Sequence, residues 1–116
     1  MMLHAQGLSG IEVVMPRDVP HVDVSLTWHL SRVSWPVGTG IATVSISAPH
    51  GSAPLHRHWR TPCRFANGSV QDGVLLRVTR AQVQSVFPTK SGYALLTIGV
   101  NGRVLATAPV LLSAPD

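Results

Sequence analysis

Residues 91–112 read SGYALLTIGVNGRVLATAPVLL, two apolar runs on either side of Asn101-Gly102. Asn-Gly between extended runs is the strongest short-range hairpin signal, because a type I′ turn needs positive φ at both central residues. Side chains alternate along an extended chain. Tyr93, Leu95 and Thr97 therefore share one face, and Ala94, Leu96, Ile98 and Val100 share the other. Beyond the turn, Val104, Ala106, Ala108, Val110 and Leu112 fall on one face. This hairpin is the spine of an all-β domain.

Strands recur upstream of it. Residues 73–79 (GVLLRVT) are strand-like, and TRAQVQS after them tolerates one helical turn over 79–85, with Thr79 as its N-cap. Phe87-Pro88 ends that turn. Residues 21–30 alternate cleanly, with Val22, Val24, Leu26, Trp28 and Leu30 against Asp23, Ser25, Thr27 and His29, the pattern of a half-buried strand. Residues 41–48 repeat it, with Ala42, Val44, Ile46 and Ala48 on one face. Ile11 to Met15 is a short strand closed by Pro16, and residues 64–67 are another candidate. Pro49 to Pro62 is irregular and reads as a long loop over about 49–63, or as a short edge strand near residues 55–59. Short strands at roughly ten-residue spacing are the rhythm of a β-sandwich. Residues 1–10 have no period of their own and are expected to form an arm ahead of a single domain over 11–116.

Composition bounds the function. A chain of 116 residues is one domain and buries a core without staples. Charged residues make up 12% of it, about half the usual share. A surface so poor in charge points to burial against other protein. The net charge of +4 comes mostly from arginine, but the arginines are scattered, with only Arg57, Arg60 and Arg64 close together. A nucleic-acid binder shows a denser basic stripe with aromatics between. The single cysteine, Cys63, allows no internal disulfide. The N-terminus lacks the basic and apolar regions of a signal peptide, and no run is long enough to span a membrane.

His50, His56, His58 and Cys63 are the candidate metal ligands, with His56 and His58 on one side of an extended segment. Their spacing lacks the paired Cys or His signature of a structural zinc site, and no carboxylate lies between Asp23 and Asp72 to serve as a base. The expectation is no metal, no cofactor and no catalytic residue. Ser, His and acids are present but no G-x-S-x-G elbow is, and five acidic residues leave little for acid–base chemistry. Trp35 and Trp59 lie beside Pro36 and Arg60 in loop-like surroundings. Trp and Arg are the residue types that anchor interfaces, so Trp35, Arg57, Trp59, Arg60 and Arg64 are the candidate contact residues.

The order of VDVSLTWHL (22–30), ATVSI (42–46), GVLLRVTRAQ (73–82) and SGYALLTIGVNG (91–102) resembles the small immunoglobulin-like domains of tailed-phage virion proteins, among them the N-terminal domain of baseplate upper proteins and minor tail proteins. The resemblance implies an immunoglobulin-like antiparallel sandwich of about seven strands. It implies a structural virion component, made in the host cytoplasm, that packs against other virion proteins and copies of itself in a symmetric assembly. A minor tail or baseplate protein is the leading reading, and a head-decoration or head-tail connector protein the alternative. A small metal-binding β-barrel enzyme or sensor using the His/Cys cluster, or a carbohydrate-binding module using Trp35 and Trp59, would be a reading of another class.

Overall fold

The computed structural model describes residues 2–30, 38–48, 55–63, 70–100 and 102–116, and at residues 30, 38–42, 55–63, 70–72 and 100 its backbone alone. The elements run β1 (Met2–Gln6), β2 (Ile11–Val14), β3 (His21–Leu30), β4 (Gly38–Ser47), β5 (Leu55–Cys63), β6 (Val70–Thr79), α1 (Arg80–Val86), β7 (Ser91–Val100) and β8 (Arg103–Ser113). They form two sheets, β1-β3-β6 and β2-β8-β7-β4-β5. The expected all-β sandwich is what the chain folds into. The connections β1–β2, β2–β3, β3–β4, β5–β6 and β6–β7 pass between the sheets.

Alternation builds the core. Val22, Val24, Leu26 and Trp28 on β3 and Leu76 and Val78 on β6 are buried against Val44 and Ile46 on β4, Ala94, Leu96 and Ile98 on β7, and Ala108, Val110 and Leu112 on β8. Ile11, Val13 and Met15 extend this layer along β2. Each such aliphatic side chain withdrawn from water contributes about 1.5–3 kcal/mol.

The sheets are mixed, which departs from the expected antiparallel pattern. β2 runs parallel to β8, and β1 runs parallel to β3. Residues 2–10, expected to be an arm, belong to the sandwich. Met2–Gln6 is an edge strand of the chain's own sandwich, with Leu3, Ala5 and Leu8 packed on the core. Gly7 and Gly10, both at positive φ, reverse the chain between the two sheets. Among the described residues there are eight strands, β1 among them, and residues 55–63 form the edge strand that was the alternative to a loop, while residues 49–54 lie outside the described residues. Pro62 fits there because β5 is an edge strand, where a missing N–H costs no ladder bond. The candidate strand over 64–67 lies outside the described residues.

α1 begins at the expected N-cap, Thr79, which forms a capping box with Gln82. Thr79 Oγ1 accepts from the Gln82 backbone N–H at 3.2 Å, and Gln82 Oε1 accepts from the Thr79 N–H at 2.9 Å. Arg80 then acts as a clamp. Its backbone N–H donates to Pro20 O at 2.9 Å, its Nε to Val19 O at 3.1 Å, one terminal nitrogen to Pro16 O and the other to Pro115 O. One planar guanidinium thus ties the β2–β3 connection and the C-terminal tail to the helix.

The β7–β8 hairpin closes through a two-residue loop, with Val100 opposite Arg103 and Gly102 at φ 79°. Asn101 lies outside the described residues. A bulge follows. Gly99 pairs with Val104, but Ile98 pairs with Ala106, so Leu105 is the extra residue. The bulge reverses the parity of β8. Val104 therefore leaves the apolar set to which simple alternation assigned it, and it is 60% exposed while Ala108, Val110 and Leu112 face inward. Gly99 is required at the bulge for space, since a Cβ there would lie 2.9 Å from the carbonyl oxygen of Arg103 and 3.2 Å from Thr43 Oγ1.

Two glycine substitutions separate space from conformation. Gly99→Ala lowers the free energy of unfolding by about 1–3 kcal/mol through overpacking against a backbone oxygen that cannot yield. Gly102→Val lowers it by a similar ~1–3 kcal/mol, although nothing lies within 4 Å of its Cβ position, because a β-branched residue is held at positive φ. Gly102→Asn is close to neutral. Urea denaturation midpoints check all three, and an unaltered midpoint for Gly102→Val contradicts the turn.

Candidate interaction face

The outer surface of the five-stranded sheet is built by the residues that alternate with the core. Across β2, β8 and β7, Glu12 stands opposite Leu111, and Leu111 opposite Tyr93. In the next row Pro109 stands opposite Leu95, and Leu95 opposite Ser47 on β4. Beyond it Thr107, Thr97 and Ser45 line up, and the last row is Val104, Gly99 and Thr43. Tyr93 is 65% exposed and Leu95 48%, while Leu111 is half-buried and Pro109 exposed. Large apolar side chains thus lie together in water, with hydroxyl residues beside them and Glu12 as the one formal charge in these rows. This is contiguous apolar surface rather than scattered exposure.

The opposite sheet has a different outer surface. Asp23 and Arg77, opposite each other on β3 and β6, form a hydrogen-bonded ion pair at 3.0 Å. The hydrogen bond from Arg77 is the main cause that holds the Asp23 carboxyl below the usual carboxylate range. His4, Gln6, Thr27 and His29 are exposed around the pair. This face is hydrophilic apart from Met2 and Leu75.

Two open concavities flank the sandwich. One is lined by Asp18, Val19, Pro20, Arg80 and Asp116, and its cation is Arg80, whose donors are committed to main-chain carbonyls. The C-terminal residues beside it are tied down as well. Gln84 Nε2 donates to Ala114 O at 2.8 Å and to Asp116 Oδ1 at 3.2 Å, and Lys90 pairs with Asp116. The other concavity is lined by Gln6, Gly7, Thr27, Trp28 and His29 and brings no acid and base together. Trp28 itself is a core residue, 4% exposed.

The residues expected to carry a site are spread along β5. Register places His56 opposite Ser45 and His58 opposite Thr43, the residues of β4 that turn away from the core. The two histidine positions therefore extend the hydroxyl rows of the outer face. Arg57 stands opposite the buried Val44, Trp59 opposite Ala42, and Arg60 opposite Ile41. Arg57 and Trp59 thus share the parity of the core-facing residues of β4. Cys63, opposite Gly38, is of the other parity from His58 and about 17 Å further along the strand, at roughly 3.3 Å per residue. The extended backbone separates the cysteine from both histidines. His50, Trp35 and Arg64 lie outside the described residues. Among the described residues no three His, Cys, Asp or Glu side chains come together.

Tyr93 and Leu95 were not singled out from sequence as contact residues. The signal was present, because β7 is apolar at both parities and a strand can bury both only if both of its faces are covered. Compared with protein-family models, curated proteins and solved structures, the chain matches none.

The ion pair gives a pH-dependent signature. Because the folded carboxyl of Asp23 titrates below its unfolded value of about 3.9, its contribution to stability is fully present above that value. It is lost as pH falls through the lowered folded value. The stability difference between the wild type and Asp23→Asn is constant from neutral pH down to about 4 and shrinks below it. Paired urea titrations across this range check the sign, and a difference that grows on acidification contradicts the pairing.

Proposed function

We propose that this protein is a non-catalytic packing subunit of a multi-protein assembly. The observation that carries the reading is the outer face of the five-stranded sheet, where Tyr93, Leu95, Pro109 and Leu111 stand together beside Ser and Thr, with Val104 exposed beyond the threonine row. An interface core is depleted of charge and enriched in aromatic and aliphatic side chains, and this face has that composition. A rigid sheet presents it at little entropic cost, since the strands beneath are fixed by the core.

The assembly that fits is a bacteriophage virion. This step rests on the pattern of residues 22–112 and its resemblance to the immunoglobulin-like domains of tail and baseplate proteins. The low charge of the chain agrees with a subunit that commits much of its surface to neighbours. The role is that of a minor tail or baseplate protein, and attachment to the head or to its connector is the second placement. The partners are other virion proteins and copies of the chain itself.

The test uses the gene in its native context. Particles released from cells carrying it are separated from free protein by density gradient, and the chain is quantified by mass spectrometry. The wild type is expected in the particle fraction. Leu95→Glu places a charge at an exposed position, so it leaves the purified domain folded with a melting temperature near that of the wild type. The same change removes the chain from particles or lowers its content at least about tenfold, an interfacial loss of ~1.4 kcal/mol or more. A wild-type chain confined to the free fraction overturns the virion reading. Normal particle content for Leu95→Glu overturns the choice of face.

A further inference from the structure

We infer that β1 is a strand-addition edge through which two copies of this chain pair about a two-fold axis centred on His4. An edge strand exposes unpaired main-chain groups, and proteins ordinarily blunt such edges with charge, proline or bulges. The other edges of this sandwich are blunted. β2 carries Glu12 and runs into Pro16, β5 carries Arg57, Arg60 and Pro62, and β6 carries Asp72 and Arg77. The edge strand β1, MLHAQ, carries none of these devices.

The main-chain geometry fixes the register of an added strand. Gly7 N–H donates to Thr27 O at 2.8 Å, so the main chain of Gly7 faces β3. The N–H and C=O of one residue point to the same side of a strand, and the side alternates along the chain. Leu3 and Ala5 therefore bond to β3, while Met2, His4 and Gln6 direct their N–H and C=O groups outward. An antiparallel partner satisfies all the outward groups only if His4 meets His4 of the second copy and Met2 meets Gln6. That register is its own image under a two-fold axis, the commonest closed symmetry of protein assemblies. It sets Leu3 opposite Ala5 of the second copy on the side where both are half-buried against the core. A large residue then meets a small one, and the apolar layer continues from one copy to the next.

Charge selects a second copy as the occupant. The chain is net basic, so two copies repel wherever basic surfaces meet. β1 holds no Lys, Arg, Asp or Glu, and the nearest charges on β3 and β6, Asp23 and Arg77, neutralise each other. This is the edge at which two net-basic copies approach without a like-charge contact. The inference deepens the proposed assembly role and rests on it only for the premise that the chain works in several copies.

The test is sedimentation of the purified full chain over a dilution series, with His4→Pro, His4→Lys and Leu95→Glu beside the wild type. The wild type is expected as a dimer that dissociates on dilution. His4→Pro deletes an outward N–H that β3 does not use, and His4→Lys sets like charges opposite each other across the axis. Each weakens the dimer at least about tenfold, while circular dichroism reports an intact sandwich. Leu95→Glu leaves the dimer as it is. A wild-type monomer throughout the series overturns the inference, as does a dimer indifferent to both His4 changes. A dimer lost in Leu95→Glu but kept in His4→Pro overturns it too, and places self-association on the outer face of β7 and β8, in keeping with the proposed function.

Discussion

The structure depends on the register between β7 and β8. In a sheet buried on one side, a slip of one residue carries a whole apolar set from the core to water. Here the two-residue loop at Gly102 sets the first pairing, Val100 with Arg103. Left at that register, the even-numbered residues of β8 would all face outward with Val104. The bulge at Leu105 changes parity once, and Ala106 then takes its place opposite Ile98. Turn and bulge are thus a matched pair, one closing the strands tightly and the other returning Ala108, Val110 and Leu112 to the core. Gly99 lets the backbones approach where they must, and Thr43 of β4 donates to Gly99 O at 3.5 Å beside it. The same parity change produces the outer face. Val104 is already out by the turn, and past the bulge Leu95 and Tyr93 on β7 find Pro109 and Leu111 opposite them.

A second constraint acts at the other end of the molecule, where chain segments distant in sequence are fastened by side chains to main-chain carbonyls. Arg80 serves the segment at 16–20 and the tail at Pro115, and Gln84 serves Ala114 and Asp116. These bonds hold β2 and β8, which pair in parallel, at the correct height, because Met15 N–H donates to Ser113 O at 2.9 Å just below the clamp. Hydrogen bonds from a charged donor are worth more than neutral ones. Arg80 is therefore structural, and its exposure beside an open concavity does not make it a binding group.

How much was legible in the sequence follows from what is local. β3 was legible to its limits, because His21–Leu30 alternates without exception and its apolar parity is the buried one. The N-cap of α1 was legible because Thr79 stands directly ahead of helix-tolerant residues, whereas the return bond from Gln82 is a finding of the structure. β1 was not, since five residues without charge or period acquire a structure only from the strand beside them. The parity of Val104 was not legible either, because a bulge is a relation between two strands and leaves no periodicity in one. The sequence candidates at Trp59 and Arg57 rested on residue type in a proline-rich stretch. Their strand is there, but register aligns them with core-facing positions of β4 rather than with the outer face. The outer face was half legible, as a strand with apolar residues at both parities whose second cover could not be named.

The distribution of charge links these features to assembly. A sandwich of this size has two outer sheet faces and four edges to present to its surroundings. One face carries an ion pair and histidines, the chemistry of a surface that stays in water. On the other, Glu12 on β2 and the Arg60 position on β5 are at the two edge strands, and the apolar residues sit between them on β7 and β8. Three edges carry charge or proline, and one carries neither. Selection for solubility alone would spread the few charged residues evenly, since a contiguous uncharged face favours association. On β7 and β8 the outer rows from Tyr93 and Leu111 to Thr97 and Thr107 carry no charged residue, nor does the edge strand β1, and these lie on different sheets. A subunit so arranged can contact one neighbour through its five-stranded sheet and another through β1 without the two contacts competing for the same strands, which is the geometric requirement for a chain that bridges neighbours in a larger assembly.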